Sequence, residues 1–380
     1  MTAVDDTDLL LDTVERFGAK ARQRLFAEES PDGDLAAVEP LLADAAALGL
    51  LADTEPDTGR WGVWGQHIET DGAATSLDIL RRLGHVCAGL ATAIHAQGVA
   101  VVLAGAGATP PFGTGDDARL AAAFGPPVGI ALDPRAFGDG LMLRDQVLSG
   151  TARFALVPQR ADALVLAART GPATDDTWAV VVVPTDLDGV RLLPTGTRIG
   201  LRACGVADVH AEQVRLDDAH VRATGPAAER QLQRAVACDW LGQAAIALGA
   251  AEHAVTDATQ YALTRIQGGA PIIEHAAVKL LLGRAEHDTA VLADVLRRHA
   301  TTPVTDLDPT ELLRWAADAR LAAGEHAARA VTDALQTLGG YGYMDEYGLS
   351  KRLRDLTALR AMHGGPDQLL LLRHSLGGAR

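Results

Sequence analysis

Residues with the types and spacing for chemistry fall in three places in this 380-residue chain. Arg265, Gln267 and the pair Gly268-Gly269 stand together in TRIQGGAPI. A guanidinium is a fixed planar cation suited to a pyrophosphate; the alternatives for Arg265 are an intrahelical pair or solvent exposure. The stretch Gln336–Asp355, QTLGGYGYMDEYGLSKRLRD, joins three tyrosines, an acidic pair and a basic cluster. Its Gly339, Gly340 and Gly342 allow positive φ and close backbone approach to something flat or anionic, and they suit a helix C-cap and tight turn equally well. Asp239 is the only acid in the apolar run Ala235–Ala251. A lone carboxylate on an apolar helix must find a partner, stay protonated or face a cavity. It is a candidate general base; the alternatives are a salt bridge to Arg234 or to another helix, or exposure at a helix edge. His363, beside Gly364-Gly365, is either a weaker candidate base, since an imidazole titrates near neutrality, or a loop residue with no role.

Composition excludes several classes. With a net charge of −15 nucleic acid is not an expected partner, because neutralising its phosphates needs a basic face. No run of about 18 uncharged apolar residues offers a membrane span. The acidic start MTAVDDTDLLLD lacks the basic region of a signal peptide, so a cytoplasmic location is expected. Cys87, Cys204 and Cys238 are too few and too far apart for a disulfide framework or a zinc site, and no metal is expected. The chain has no GxGxxG, P-loop, HExxH, CxxC or nucleophile elbow, and GTGDD at Gly113–Asp117 is an acidic loop unsuited to phosphate.

The elements that must position these residues change character twice. Asp8–Leu51 has apolar residues at helical spacing, with Leu9, Leu10, Val14, Phe17 and Ala21 on one stripe, and Leu35–Leu50 repeats it. Thr54–Gly72, with Trp61 and Trp64, reads as an irregular loop, either folded over a pocket or packed on itself. Ser76–Ala106 is helical, with Ser76 as N-cap and Asp78 in the first turn. The small apolar run Ala88–Ala106 should be buried, with His95 satisfying a backbone carbonyl. From Pro126 to Val221 short runs replace the helical rhythm: Val128–Leu132, Leu141–Leu143, Ala163–Ala168, Trp178–Val183, Val190–Leu193 and Val206–Leu216, separated by Gly, Asp and Pro turns. Helices return at Arg230–Leu263, Ile273–Ala300 and Pro309–Leu338, and a fourth, Asp355–Leu376, is broken near Gly364-Gly365-Pro366. The expected fold is α+β: an N-terminal helical domain (1–122), a middle antiparallel β-barrel or sandwich (123–224) and a C-terminal four-helix bundle (225–380).

The GG loop followed by R-x-R-D at Arg352–Asp355 resembles the C-terminal signature of the acyl-CoA dehydrogenase family. TRIQGGAPI resembles that family's Arg-x-x-Phe-Gly-x-x-Ile, with Gly268 in place of the Phe. The middle block echoes the family at Val147–Gly150, Ala161–Ala163 and Gly200–Arg202 leading to Val214. The resemblance implies FAD as cofactor, with Arg265, Gln267, Gln336, Gly339 and Gly340 as its half-site and a neighbouring subunit supplying the rest. It implies an oxidoreductase that desaturates a CoA- or carrier-protein-bound acyl thioester: a carboxylate removes the α-proton while FAD takes the β-hydride, in a homodimer or homotetramer. In most members the base precedes a Gly-Thr after the R-x-R-D helix, where this chain has His363. In others it lies on the first bundle helix, where this chain has Asp239, followed by Trp240 where an Arg is common. An Arg–Asp pair in the R-x-R-D run is expected to be structural. Where members carry Thr-Glu-Pro and Trp-Ile-Thr at the flavin ring, this chain has Ala131-Leu132-Asp133-Pro134 and Phe154-Ala155-Leu156. These departures leave two alternatives beside desaturation: diverged chemistry on the same fold (a flavin monooxygenase, or a flavin-free cyclase, isomerase or eliminase), and a non-catalytic subunit of a hetero-oligomer.

Overall fold

A computed structural model describes residues 6–26, 32–51, 62–65, 68, 71–105, 120–123, 140–156, 161–171, 177–362 and 365–376. His363, Trp61 and residues 113–117 and 131–134 lie outside the described residues. The chain opens with α1 (Asp6–Leu25) and α2 (Val38–Ala47), whose apolar stripes bury Val14, Phe17, Ala21, Leu41 and Leu42. Next come α3 (Ala74–Val86) and α4 (Ala88–Ala104), separated where Cys87 takes an extended conformation. Ser76 does not cap α3: the helix starts earlier, after Ala73, and Ser76 Oγ donates instead to Val63 O at 2.6 Å. That bond ties the segment bearing Trp64 to α3. Every residue of α4 from Ala88 to Ala100 is buried, as its small apolar composition requires.

The middle of the chain forms an 8-stranded sheet from β1 (Leu120–Ala123), β2 (Leu141–Arg144), β3 (Val147–Leu156), β4 (Ala163–Arg169), β5 (Trp178–Pro184), β6 (Val190–Pro194), β7 (Val206–Arg215) and β8 (Val221–Thr224). The order is β6-β7-β3-β2-β4-β5-β8, with β1 also on β4. The sheet is mixed rather than purely antiparallel, because β1 and β2 both pair with β4 in parallel. Strands β4 and β5 are buried along six consecutive residues each, which explains their unbroken apolar runs. Leu120–Ala123 has no β-branched residue and gave no strand signal.

Helices then dominate: α5 (Gly225–Thr264), α6 (Ala276–Arg297), α7 (Pro309–Ala322), α8 (Ala328–Thr337), α9 (Leu349–Ala361) and α10 (Gly365–Ser375). The expected rod from Pro309 is continuous but holds a π turn, Ala323–Ala327, between α7 and α8. The break near Gly364-Gly365 separates α9 from α10, and α9 begins at Leu349, earlier than Asp355. Helix α5 is 40 residues long and buried continuously from Ala235 to Ala251. It meets α3 without side chains between them: a Cβ at Gly249 would stand 1.9 Å from Arg81 O, and one at Gly84 2.4 Å from Ile246 O. Arg81 crosses the same contact to Glu252 at 2.9 Å. Gly249→Ala should therefore force the helices apart and cost about 1–3 kcal/mol or more. A drop in the urea midpoint with unchanged slope reports this; an unchanged midpoint would show that the contact yields freely.

Candidate functional site

Helix α5 ends where Arg265 turns extended, at φ −77 and ψ 122. The chain reverses through β9 (Ile266–Gln267) and β10 (Ala270–Pro271). Their two-residue link, Gly268-Gly269, has φ of +60 and +87, the I′ hairpin turn that glycine takes without steric cost. His275 Nε2 donates to Gln267 O at 3.0 Å and pins the hairpin. Across from it α8 ends at Thr337 and passes into a 3₁₀ turn, Gly339–Tyr343. Gly342 is required there, since a Cβ would meet Leu335 O at 2.4 Å. Between the two chain ends lies a cavity of about 560 Å³, lined by Arg265, Gln267, Gln336, Gly339 and Gly340 together with Tyr341 and neighbours. The five residues singled out from two distant segments thus share one cavity, of a size usual for ligand sites.

No lining residue of this cavity is acidic. The Arg265 guanidinium lies 5.2 Å from the Tyr341 ring centroid, and among the described residues it has no carboxylate partner. Tyr341, Tyr261 and Tyr347 pack as a trio with centroids 5.8 to 6.2 Å apart. A Cβ at Gly339 or Gly340 would meet nothing within 4 Å, so the backbone there is open on the cavity side. A cation without a carboxylate, exposed peptide groups and flat rings can hold an anionic group beside a planar one.

Asp239 sits elsewhere on α5 and is 1% exposed. Gln243 Nε2, one turn along, donates to its Oδ2 at 2.8 Å. His95 Nε2, from α4, lies 3.3 Å from Oδ1 and 3.1 Å from Asp239 O. Trp64 Nε1 donates to His95 Nδ1 at 2.9 Å. His95 therefore does bond a backbone carbonyl, and it also reaches the carboxylate. Trp64 is 2% exposed and belongs to the core, so neither expectation for its loop describes it. Two glycines make room for the rings: a Cβ on Gly242 would lie 2.2 Å from His95 Cε1, and one on Gly98 would lie 2.9 Å from Trp64 Cδ1. Buried Arg320, on α7, donates to Leu359 O; burial lowers its pKa to about 10, with Asp239 opposing the shift. Cys238 beside Asp239 is pushed up to about 12 by burial.

The basic run at α9 is not a solvated helix start. Asp355 is buried and pairs with Lys351 on the preceding turn, not with an arginine. Its Oδ1 accepts from Leu201 N at 2.6 Å, joining α9 to the loop before β7. Burial opposes the Lys351 ammonium, but Cys87 and Asp355 outweigh it and its pKa moves up. Arg354 and Arg202 hold Asp32 instead. Contact at Gly200 is again through backbone, with a Cβ placed 2.2 Å from Arg354 O. Phe154, at a bulge in β3 with φ +55, is 64% exposed, and its N–H donates to Asp208 at 2.9 Å. Sequence reasoning missed Trp64, Gln243 and the pairing of Lys351. The i,i+4 spacing of Asp239 with Gln243 and of Lys351 with Asp355 was a usable signal; Trp64 and His95, 31 positions apart, had none.

Residues 232–373 match the model of the acyl-CoA dehydrogenase C-terminal domain. A probable acyl-CoA dehydrogenase of Bacillus subtilis is 28% identical over 236 residues, which is 61% of this chain and 61% of that relative. The cyclohex-1-ene-1-carbonyl-CoA dehydrogenase of Geobacter metallireducens is 28% identical over 315 residues, covering 78% of this chain and 80% of its own length. The fold matches butyryl-CoA dehydrogenase from Megasphaera elsdenii with a TM-score of 0.79 at 19% identity, across 99% of this chain and 98% of that one. Among the described residues no helix is long and apolar enough to cross a membrane, and no His, Cys, Asp and Glu cluster could hold a metal ion.

The Lys351–Asp355 contact gives a stability test of this junction. Lys351→Met leaves a carboxylate at 2% exposure without its cation. The expected cost is about 3–5 kcal/mol by urea unfolding. A loss below about 1 kcal/mol would mean that the bond from Leu201 N satisfies Asp355 by itself.

Proposed function

Because the chain belongs to the acyl-CoA dehydrogenase family, we propose that it oxidises the Cα–Cβ bond of an acyl thioester carried on CoA or a carrier protein, with FAD as cofactor. The observation that carries this reading is the convergence of Arg265, Gln267, Gln336, Gly339 and Gly340 on one cavity. The cavity suits the ADP portion of FAD: Arg265 would pair with pyrophosphate oxygens, and the open backbone at Gly339 and Gly340 would supply donors and clearance. Bound FAD supplies a hydride acceptor for the substrate's β-carbon.

Asp239 is the residue we assign to α-proton removal. Its carboxylate accepts from Gln243, and His95 lies within reach of its other oxygen, so both oxygens are oriented before substrate arrives. Burial in an apolar helix run excludes water that would otherwise solvate the carboxylate. Arg265 and Asp239 are 26 positions apart along α5, which is about 39 Å of helix. That span exceeds an extended dinucleotide, so one chain cannot bring both groups to the same FAD. A homodimer or homotetramer, in which the Arg265 cavity of one subunit completes a site around Asp239 of another, meets that requirement.

A second reading, diverged chemistry on the same fold, is favoured by the exposed Phe154 at the bulge of β3 and by the 1% exposure of Asp239. The visible spectrum of the purified protein separates the two. A flavin band near one per chain that bleaches on anaerobic addition of an acyl-CoA supports desaturation; colourless protein that takes up no FAD supports the second reading. Arg265→Gln should weaken FAD binding by about 10- to 100-fold while leaving the melting temperature of the apoprotein unchanged. Equal affinity would remove Arg265 from the cofactor site. Asp239→Asn with FAD bound should lose on the order of 100-fold or more in kcat. Undiminished turnover would exclude it as the base.

A further inference from the structure

The indole N–H of Trp64 is a donor with no acceptor capacity, and it points at His95 Nδ1 from 2.9 Å. Nδ1 must then carry a lone pair, and the imidazole proton must sit on Nε2. That nitrogen faces Asp239, 3.3 Å from Oδ1 and 3.1 Å from the backbone O. The ring is wholly buried and slotted against Gly242. Protonating Nδ1 would set two N–H groups against each other with no water to intervene.

We infer that Trp64 is a positioning residue that locks His95 as the neutral Nε2–H tautomer, so that Asp239 is oriented by a neutral donor and not by an imidazolium. This inference rests on the reading of Asp239 as the base. The difference matters chemically, because a cation at hydrogen-bond distance stabilises a carboxylate and weakens it as a base, whereas a neutral N–H orients it at smaller cost to basicity. The Gln243 amide, which donates to the other carboxylate oxygen, is neutral as well. The ionisable groups near it include Arg320 on α7, which donates to Leu359 O, Cys238, which burial keeps as the thiol, and Arg234, one turn before Cys238. The slot for Trp64 is specific too, since Gly98 lies against its ring and Ser76 holds the preceding Val63.

The test uses full-length protein labelled with ¹⁵N-histidine, with the His95 signals assigned by their loss in His95→Gln. The expected wild-type spectrum has a protonated Nε2 and an unprotonated Nδ1. In Trp64→Phe that signature should give way to tautomer exchange. The same variant, with FAD content matched to wild type, should lose at least about tenfold in kcat with KM little changed, and its pH profile should shift. Gly98→Ala, which crowds the indole, should reproduce the tautomer change if Trp64→Phe fails to fold. A protonated Nδ1 in wild type, or a tautomer indifferent to both substitutions, overturns the lock. A preserved kcat and pH profile in a Trp64→Phe protein that has lost the signature overturns the positioning role. Wild-type protein inactive on every acyl thioester would sink the desaturase reading and with it the positioning role, while the spectra still decide whether the lock exists.

Discussion

Helix α5 touches α3 through peptide atoms, with Gly249 against Arg81 O and Gly84 against Ile246 O. Such contact is available only where neither helix carries a side chain, and it dictates the composition around it. The buried run of α5 is rich in Ala and Gly, and Gly249 is the position where a side chain would reopen the gap. Bulk is pushed elsewhere, to Trp240 and Trp315, which are among the largest fully buried side chains. A helix clamped this closely behaves as a rod, and its length then fixes where chemistry can stand. Asp239 lies in the sealed middle, and Arg265 lies at the exit, beside a cavity. The separation of those two points is a property of helical rise.

Much of the architecture was legible because periodicity reports burial. The apolar stripe of α1, the small-residue run of α4 and the long α5 follow the pattern their positions require. Strands β4 and β5 were visible as apolar runs for the same reason. What failed to show had physical causes. Strand β1 is Leu and Ala alone, and its parallel pairing to β4 is a long-range choice that no local residue encodes. The start of α3 was misplaced because Ser76 looks like a cap but spends its hydroxyl on Val63 O. The cavity residues were legible singly through the Gly-Gly pairs and Arg265, while their meeting depends on how the ends of α5 and α8 pack. His363, the other candidate base, lies outside the described residues.

The interior of this protein holds several carboxylates, and the donors around them separate structure from chemistry. Asp288, at 1% exposure, takes Arg329 and His326 at the π turn; burial opposes its ionisation, and hydrogen bonds from Arg329 and His326 still bring its pKa below the usual value. Asp355 takes Lys351 and the N–H of Leu201, and so registers α9 against the sheet domain. Carboxylates held by cations are anchors: they keep their charge, resist protonation and fix the register of the elements they join. Asp239 differs in kind. The donors identified on its oxygens are an amide and an imidazole whose far nitrogen is already occupied by Trp64. Both donors reach it inside the sealed run of α5, so its orientation is set from within the core. Among these three acids, Asp239 is set apart by the Trp64–His95 chain that reaches it through the core.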